Sequence, residues 1–198
     1  IRMYLTCVNH NLPGDAKVVI FVGRLVYRKG VDILLKAWAT FSKSYPNHHL
    51  LIVGSGKMQP DSVEEEMKGY VNDHQIKRVC FIGEIKEIDH YLANSDLFVF
   101  PSRREGFPNA LMEAMIAGLP VVVSDIGGNT DLVSDQETGL VFKSGNIDDL
   151  NRTLTDAMSH DNNIEHLGIS ARKLMQAQYD FPIITTQYSS LYDQLSES

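Results

Sequence analysis

No apolar run in this sequence approaches the length needed to cross a bilayer, and no charged-then-apolar leader opens it. Any membrane contact is therefore expected to run through a part of the protein outside this chain. An excess of basic residues is also missing: 18 Lys and Arg stand against 25 Asp and Glu, a net charge of −7. That balance excludes a general nucleic-acid binder, which neutralises phosphates with surplus cations, so any phosphate site here must be local. Cysteine is scarce. Cys7 and Cys80 are too few for a disulfide framework, Cys80 lies in an apolar strand-like run, and both are expected as reduced thiols of a cytoplasmic protein. The seven histidines lack metal-ligand spacing, with His48 and His49 adjacent and no His-Glu-x-x-His present, so neither metal catalysis nor a metal cofactor is expected. A Gly-x-Ser-x-Gly elbow, a Gly-x-x-x-x-Gly-Lys-Ser/Thr loop, internal repeats and low-complexity tracts are all absent. The chain opens on Ile1 without an initiator Met, as expected of part of a longer protein.

What is present is an ordinary globular composition, 43% hydrophobic and 22% charged, in 198 residues, enough for one well-buried domain. Its centre is Asp96 to Asp125. Leu97 to Phe100 and Pro120 to Val123 are continuous apolar runs, the pattern of strands covered on both faces. Between them, Ala110 to Ala117 reads as a helix whose single charged residue is Glu113. A carboxylate in so apolar a helix needs a polar partner. The loop before it, Arg103-Arg104-Glu105-Gly106-Phe107-Pro108-Asn109, feeds a helix N-terminus, where amides and the dipole favour anions.

Around this centre, strands alternate with helices. Residues 1–16 read as a lead-in ending in the turn cluster Asn-Leu-Pro-Gly-Asp. Lys17 to Gly23, His49 to Gly54, Arg78 to Gly83 and Thr138 to Phe142 read as further strands. Val31 to Tyr45, Asp61 to His74 and Ile85 to Ser95 read as helices, with Trp38 in the core. Asp125 to Asp131 reads as a loop, and Ile147 to Ser159, Ile164 to Tyr179 and Ile183 to Leu195 as closing helices. The order predicts an α/β, doubly wound domain with a six-stranded, mostly parallel sheet and extra C-terminal helices. Right-handed crossovers would gather the strand-to-helix loops on one edge. Those loops carry Gly23, Arg24 and Lys29; Gly54 and Gly56; Glu105; and Gly127 with Gly128.

Two cations, two carboxylates, several glycines and a helix start suit a ligand with a diphosphate and several hydroxyls. Arg24 and Lys29 would neutralise phosphate, and the amides of Asn109, Ala110 and Leu111 would donate to it. Pro108 has no amide hydrogen to give. Glu113 would accept from a vicinal diol and Glu105 from a second sugar. Each has a plainer reading: the Arg24, Arg28, Lys29 run as a solvated loop, Glu113 as a helix cap or partner of a buried cation, and Glu105 with Arg103 and Arg104 as exposed ion pairs.

Phe21-Val22-Gly23-Arg24 with Lys29-Gly30, Val53-Gly54-Ser55-Gly56, Phe81-Ile82-Gly83, Glu105 through Asn109 to Glu113-Ala114-Met115, Gly118 to Val122 and Gly127-Gly128 together resemble the C-terminal domain of family 4 retaining glycosyltransferases of the GT-B fold. The match spans about residues 17 to 196. Two glutamates separated by seven residues are its signature. The resemblance implies a Rossmann-like donor-binding domain over 17–182 and a C-terminal crossover helix over 183–198. It implies a nucleotide diphosphate sugar as donor substrate, no other cofactor, and sugar transfer to a glycan, lipid or other acceptor in polysaccharide or glycoconjugate biosynthesis. Arg24, Lys29 and Glu105 match its catalytic positions. Gly23, Gly54, Ile85, Phe107, Asn109, Ala110, Leu111 and Glu113 match donor-binding positions, Glu113 at the ribose and Ile85 near the base. The resemblance also implies an N-terminal domain, absent here, that holds the acceptor, so that this chain binds donor without turnover at the cytoplasmic side, with peripheral membrane contact only through that domain. The alternative is a non-catalytic nucleotide-sugar-binding or scaffolding module. Two positions depart from the pattern: Asn129-Thr130-Asp131 stands where relatives often carry Pro and then Glu, and Pro108 where many have Gly.

Overall fold

The computed structural model describes residues 6–7, 10–159, 163–179, 185 and 189. The chain runs β1 (Thr6–Cys7), β2 (His10–Asn11), β3 (Lys17–Val22), α1 (Val31–Ser44), β4 (His48–Val53), α2 (Glu64–Asp73), β5 (Val79–Gly83), α3 (Asp89–Ala93), β6 (Leu97–Phe100), α4 (Asn109–Ile116), β7 (Val121–Ser124), α5 (Gly127–Thr130), β8 (Leu140–Phe142), α6 (Ile147–Met158) and α7 (Glu165–Gln178). Strands β3 to β8 form one sheet in the order β5-β4-β3-β6-β7-β8, with every neighbouring pair parallel. The chain winds outward from β3 in one direction and then from β6 in the other. The doubly wound, six-stranded reading of the sequence is the observed architecture.

Strand alternation divides the core in two. Val19 and Phe21 of β3 face a cluster that includes Trp38 of α1 and Leu150 and Leu154 of α6. Val18 and Ile20 face the other side, where Leu111 and Met115 of α4 and Met175 of α7 cover the sheet. Side chains of successive strand residues point to opposite faces, so an uninterrupted apolar run is what a sheet sandwiched between helices requires. Strands β6 and β7 are buried along their whole length.

Several expectations are adjusted. The lead-in contains a small antiparallel ribbon, β1 with β2. Ile85 and Ile88 imitate a helical period, but they are loop residues packed against the second cluster, and the helix is only Asp89–Ala93. The Gly127–Thr130 segment, read as loop, is a short helix. Cys80 is disulfide-bonded rather than a free thiol, in a strand that lies against β1, a proximity that sequence spacing does not reveal. The closing helix expected over 183–195 lies outside the described residues, apart from 185 and 189.

Candidate functional site

Strands β3 and β6 are neighbours from which the chain departs in opposite directions, the switch point where open α/β sheets leave a crevice beyond their carboxyl ends. The loop after β3 carries Lys29 at the end of a 3-10 turn, Tyr27–Lys29. The loop after β6 carries Glu105. Lys29 Nζ donates to Glu105 Oε1 at 2.5 Å, with the two side chains 13% and 5% exposed. Ser102 Oγ donates to the same oxygen at 2.7 Å, and the ammonium lies 5.1 Å from the centre of the Phe100 ring. Either charge alone would be costly at this depth; together, with the Ser102 hydroxyl, they are neutralised and hydrogen-bonded.

The two loops are fastened to each other. Arg103 reaches across with Nη1 and Nη2 to Asp32 Oδ1 and Oδ2, both at 2.7 Å, and with Nη1 to the Tyr27 carbonyl at 2.7 Å. Its backbone N–H donates to the Arg28 carbonyl at 2.8 Å. Gly30, at φ 71°, lies so close that a Cβ there would come within 2.0 Å of the Pro101 carbonyl oxygen. From the other side, Gly128 presses on the Glu105 backbone, 3.0 Å from where its own Cβ would stand. Beneath them, buried Asn129 donates through Nδ2 to the carbonyl and hydroxyl of Ser124, and Ser124 Oγ donates to the Ser102 carbonyl at 2.5 Å. The acceptor oxygen of Asn129 is buried with no partner among the described residues.

The third loop joins from β4. Gly54 passes against Gly23, each following a strand end, with Gly54 N–H on the Gly83 carbonyl and Gly23 N–H on the Val53 carbonyl. Glu64, buried at the start of α2, fixes this turn by accepting from Ser55 Oγ at 2.8 Å, Gly56 N–H at 2.6 Å and Lys68 Nζ at 2.8 Å. Burial pushes the Glu64 pKa up, but Lys68, the Gly56 amide and Ser55 outweigh it and hold the carboxyl at about 2. Arg24 projects from the first loop into solvent and donates from Nη1 to Oε1 of neutral Gln59 at 3.2 Å. It is a cation without a carboxylate partner among the described residues.

The start of α4 corrects one expectation. The Asn109 N–H already donates to the Phe107 carbonyl, and the Leu111 N–H to the Pro108 carbonyl. The tight turn after Pro108 consumes both, and Leu111 is buried. Of the three amides expected to be free, only Ala110 N–H has no acceptor among the described residues. Phe107 is 67% exposed at the rim. Glu113 stands on the exposed side of α4, its carboxylate with no hydrogen bond or ion pair among the described residues. Partial burial and then the charge of Asp89 raise its pKa above the ordinary carboxylate range. Ile85 lies half-buried in the loop after β5, and Asp131 is exposed just past α5.

The structure thus brings Lys29 and Glu105 into contact, places Gly23, Arg24 and Gly54 on the adjoining loops and sets Glu113 on the helix beyond. Asp32, Glu64, Ser102 and Ser124 were not singled out in sequence, and Asn129 only as part of a departure from the family pattern. Asp32 directly follows the Lys29-Gly30-Val31 turn, and Ser102 stands three residues before Glu105, but only the fold shows what they hold. Among the described residues no group of three or more His, Cys, Asp or Glu could hold a metal ion, and no helix is long and apolar enough to cross a membrane.

A family model described as glycosyl transferases group 1 matches residues 8–174. This chain belongs to that family. It is 29% identical over 185 residues to the capsular polysaccharide biosynthesis glycosyltransferase CapM of Staphylococcus aureus, covering 93% of this chain and 48% of CapM. Sucrose-phosphate synthase from Thermosynechococcus elongatus superposes with a TM-score of 0.84 at 31% identity, over 94% of this chain and 47% of the synthase. HepE of Anabaena, crystallised with UDP-glucose, has the same fold, with a TM-score of 0.81 at 24% identity over 93% of this chain and 50% of HepE. The chain spans about half the length of CapM and of these two proteins. Its Rossmann-like sheet is half of a GT-B architecture, the fold implied by the sequence motifs.

Proposed function

We propose that this chain is the donor-binding half of a retaining, metal-independent glycosyltransferase that draws on a nucleotide diphosphate sugar for polysaccharide or glycoconjugate synthesis. The observation that carries the reading is the Lys29–Glu105 contact at the switch point, one cation and one carboxylate held where a ligand would separate them. In the reaction, the bond between the anomeric carbon and the diphosphate oxygen breaks, and negative charge grows on the departing diphosphate. Arg24 and Lys29 meet that charge, with the Ala110 amide as a further donor. Glu105, still held by Ser102, accepts from hydroxyls of the transferred sugar, and Glu113 from the ribose diol. The acceptor hydroxyl bonds to the anomeric carbon on the face the diphosphate leaves and gives its proton to the departing diphosphate oxygen, so configuration is retained without a protein nucleophile.

CapM acts in capsular polysaccharide biosynthesis and HepE was crystallised with UDP-glucose; both support the substrate class. An N-terminal domain of the same protein supplies the acceptor site, so this chain by itself binds donor without turnover. No cofactor beyond the donor substrate is needed. The reaction is placed at the cytoplasmic side, with any peripheral membrane contact made by the other domain. The test is Glu105→Gln in the protein carrying both domains. Transfer should fall by about 10²-fold or more with donor affinity within about threefold of wild type. Unchanged transfer would remove Glu105 from the catalytic machinery, and no transfer by the wild-type protein would leave a binding module.

A further inference from the structure

By its place in the sequence Arg103 reads as half of an exposed ion pair with Glu105, and the structure pairs it instead with Asp32. The fork of the guanidinium closes on both oxygens of Asp32, one arm also donates to the Tyr27 carbonyl, and its face lies 3.9 Å from the centre of the Tyr27 ring. The Arg103 and Asp32 side chains are only 23% and 13% exposed. With its backbone N–H on the Arg28 carbonyl, residue 103 is stitched to the first loop and the start of α1 at three places: residues 27, 28 and 32. Those places bracket Lys29. Arg103 itself stands two residues before Glu105.

The arrangement matters most when ligand is bound. In this structure Lys29 and Glu105 bridge the two loops directly. A diphosphate that takes the Lys29 ammonium removes that bridge, and the loops must then keep their spacing by other means. We propose that Arg103 and Asp32 are positioning residues, which hold the Lys29 loop against the Glu105 loop so that the freed ammonium stays aimed at the diphosphate. This rests on the donor-binding reading above. A lysine at 103 would keep the charge but lose the planar fork, which a point charge on a flexible stem does not replace.

The experiment is calorimetric titration of the chain with UDP and UMP, with GDP, GMP, ADP and AMP in parallel, for wild type, Arg103→Lys, Asp32→Asn, Lys29→Met and the double variants. Arg103→Lys should weaken diphosphate binding about tenfold while monophosphate binding changes less than about twofold, and should add nothing in the Lys29→Met background. A wild type that binds none of the nucleotides would overturn the donor-site reading and the clamp with it. A wild type that binds, with Arg103→Lys and Asp32→Asn indistinguishable from it, would overturn the clamp alone. So would equal losses for mono- and diphosphates or full additivity with Lys29→Met, the pattern of a purely structural pair. If Arg103→Lys lacks a native near-UV dichroism spectrum, Asp32→Asn carries the comparison; failure of both to fold would likewise make the pair structural.

Discussion

Glu105 and Glu113, eight positions apart, meet opposite electrostatic conditions. Glu105 is buried against Lys29, whereas Glu113 has no ion pair among the described residues, and burial and then the charge of Asp89 raise its pKa. A carboxyl whose pKa is higher folded than unfolded binds its proton more tightly when folded. Stability is therefore lost as pH rises through the interval from the unfolded value to the raised one, and the loss is complete above it. Glu113→Gln should escape that loss. Its melting temperature should match wild type at about pH 3 and exceed it by about 1–2 °C at pH 7, a small gain because the group is exposed. Nucleotide affinity should fall by about tenfold or more with the loss of charged hydrogen bonds to the ribose. Thermal melts across that pH range, with a titration at pH 7, check both halves. At this scale the sequence was most legible in placing the Lys29 and Glu105 loops at one edge of the sheet, and it did not show that the two side chains meet. It was least legible where the partner is remote: Asp32 meets Arg103 across 71 positions, and Glu64 acts on a turn it follows in sequence but lies beneath in space.

Among the elements, the strands and long helices follow from apolar period, and their order sets the switch point. The loops follow instead from close backbone approach, and that part of the site was hidden. Gly30 is the clearest case, with a left-handed φ of 71° and no room for a Cβ beside Pro101. Gly30→Ala should destabilise the domain by about 3 kcal/mol, or roughly 10 °C in melting temperature, from backbone strain and the collision together. Gly106→Ala, where a Cβ would meet nothing within 4 Å, should melt within about 2 °C of wild type. Thermal unfolding of the two variants side by side checks the contrast. The amides at the start of α4 carry the same lesson in reverse. Sequence pattern marks a helix N-terminus and its unpaired donors, but Pro108 closes a turn that consumes two of them.

Across the whole molecule, the charge balance and the fold point to one edge. A chain of net charge −7 gathers Arg24, Arg28, Lys29, Arg103 and Arg104 on two adjacent loops, at the end of the sheet where parallel folds bind ligands. Arg103 is committed to Asp32 and Lys29 to Glu105, while Arg24 hydrogen-bonds to neutral Gln59. A local cluster of cations, the only kind of phosphate site the acidic composition allows, thus stands where β3 and β6 diverge. The most direct test is calorimetric titration of the chain with UDP, GDP, ADP and their common sugars, with Lys29→Met as control. Saturable one-to-one binding of one nucleotide and its sugars, weakened about tenfold or more by Lys29→Met, is the predicted result. No binding to any of them, or binding indifferent to Lys29, would contradict the assignment of this crevice to the donor.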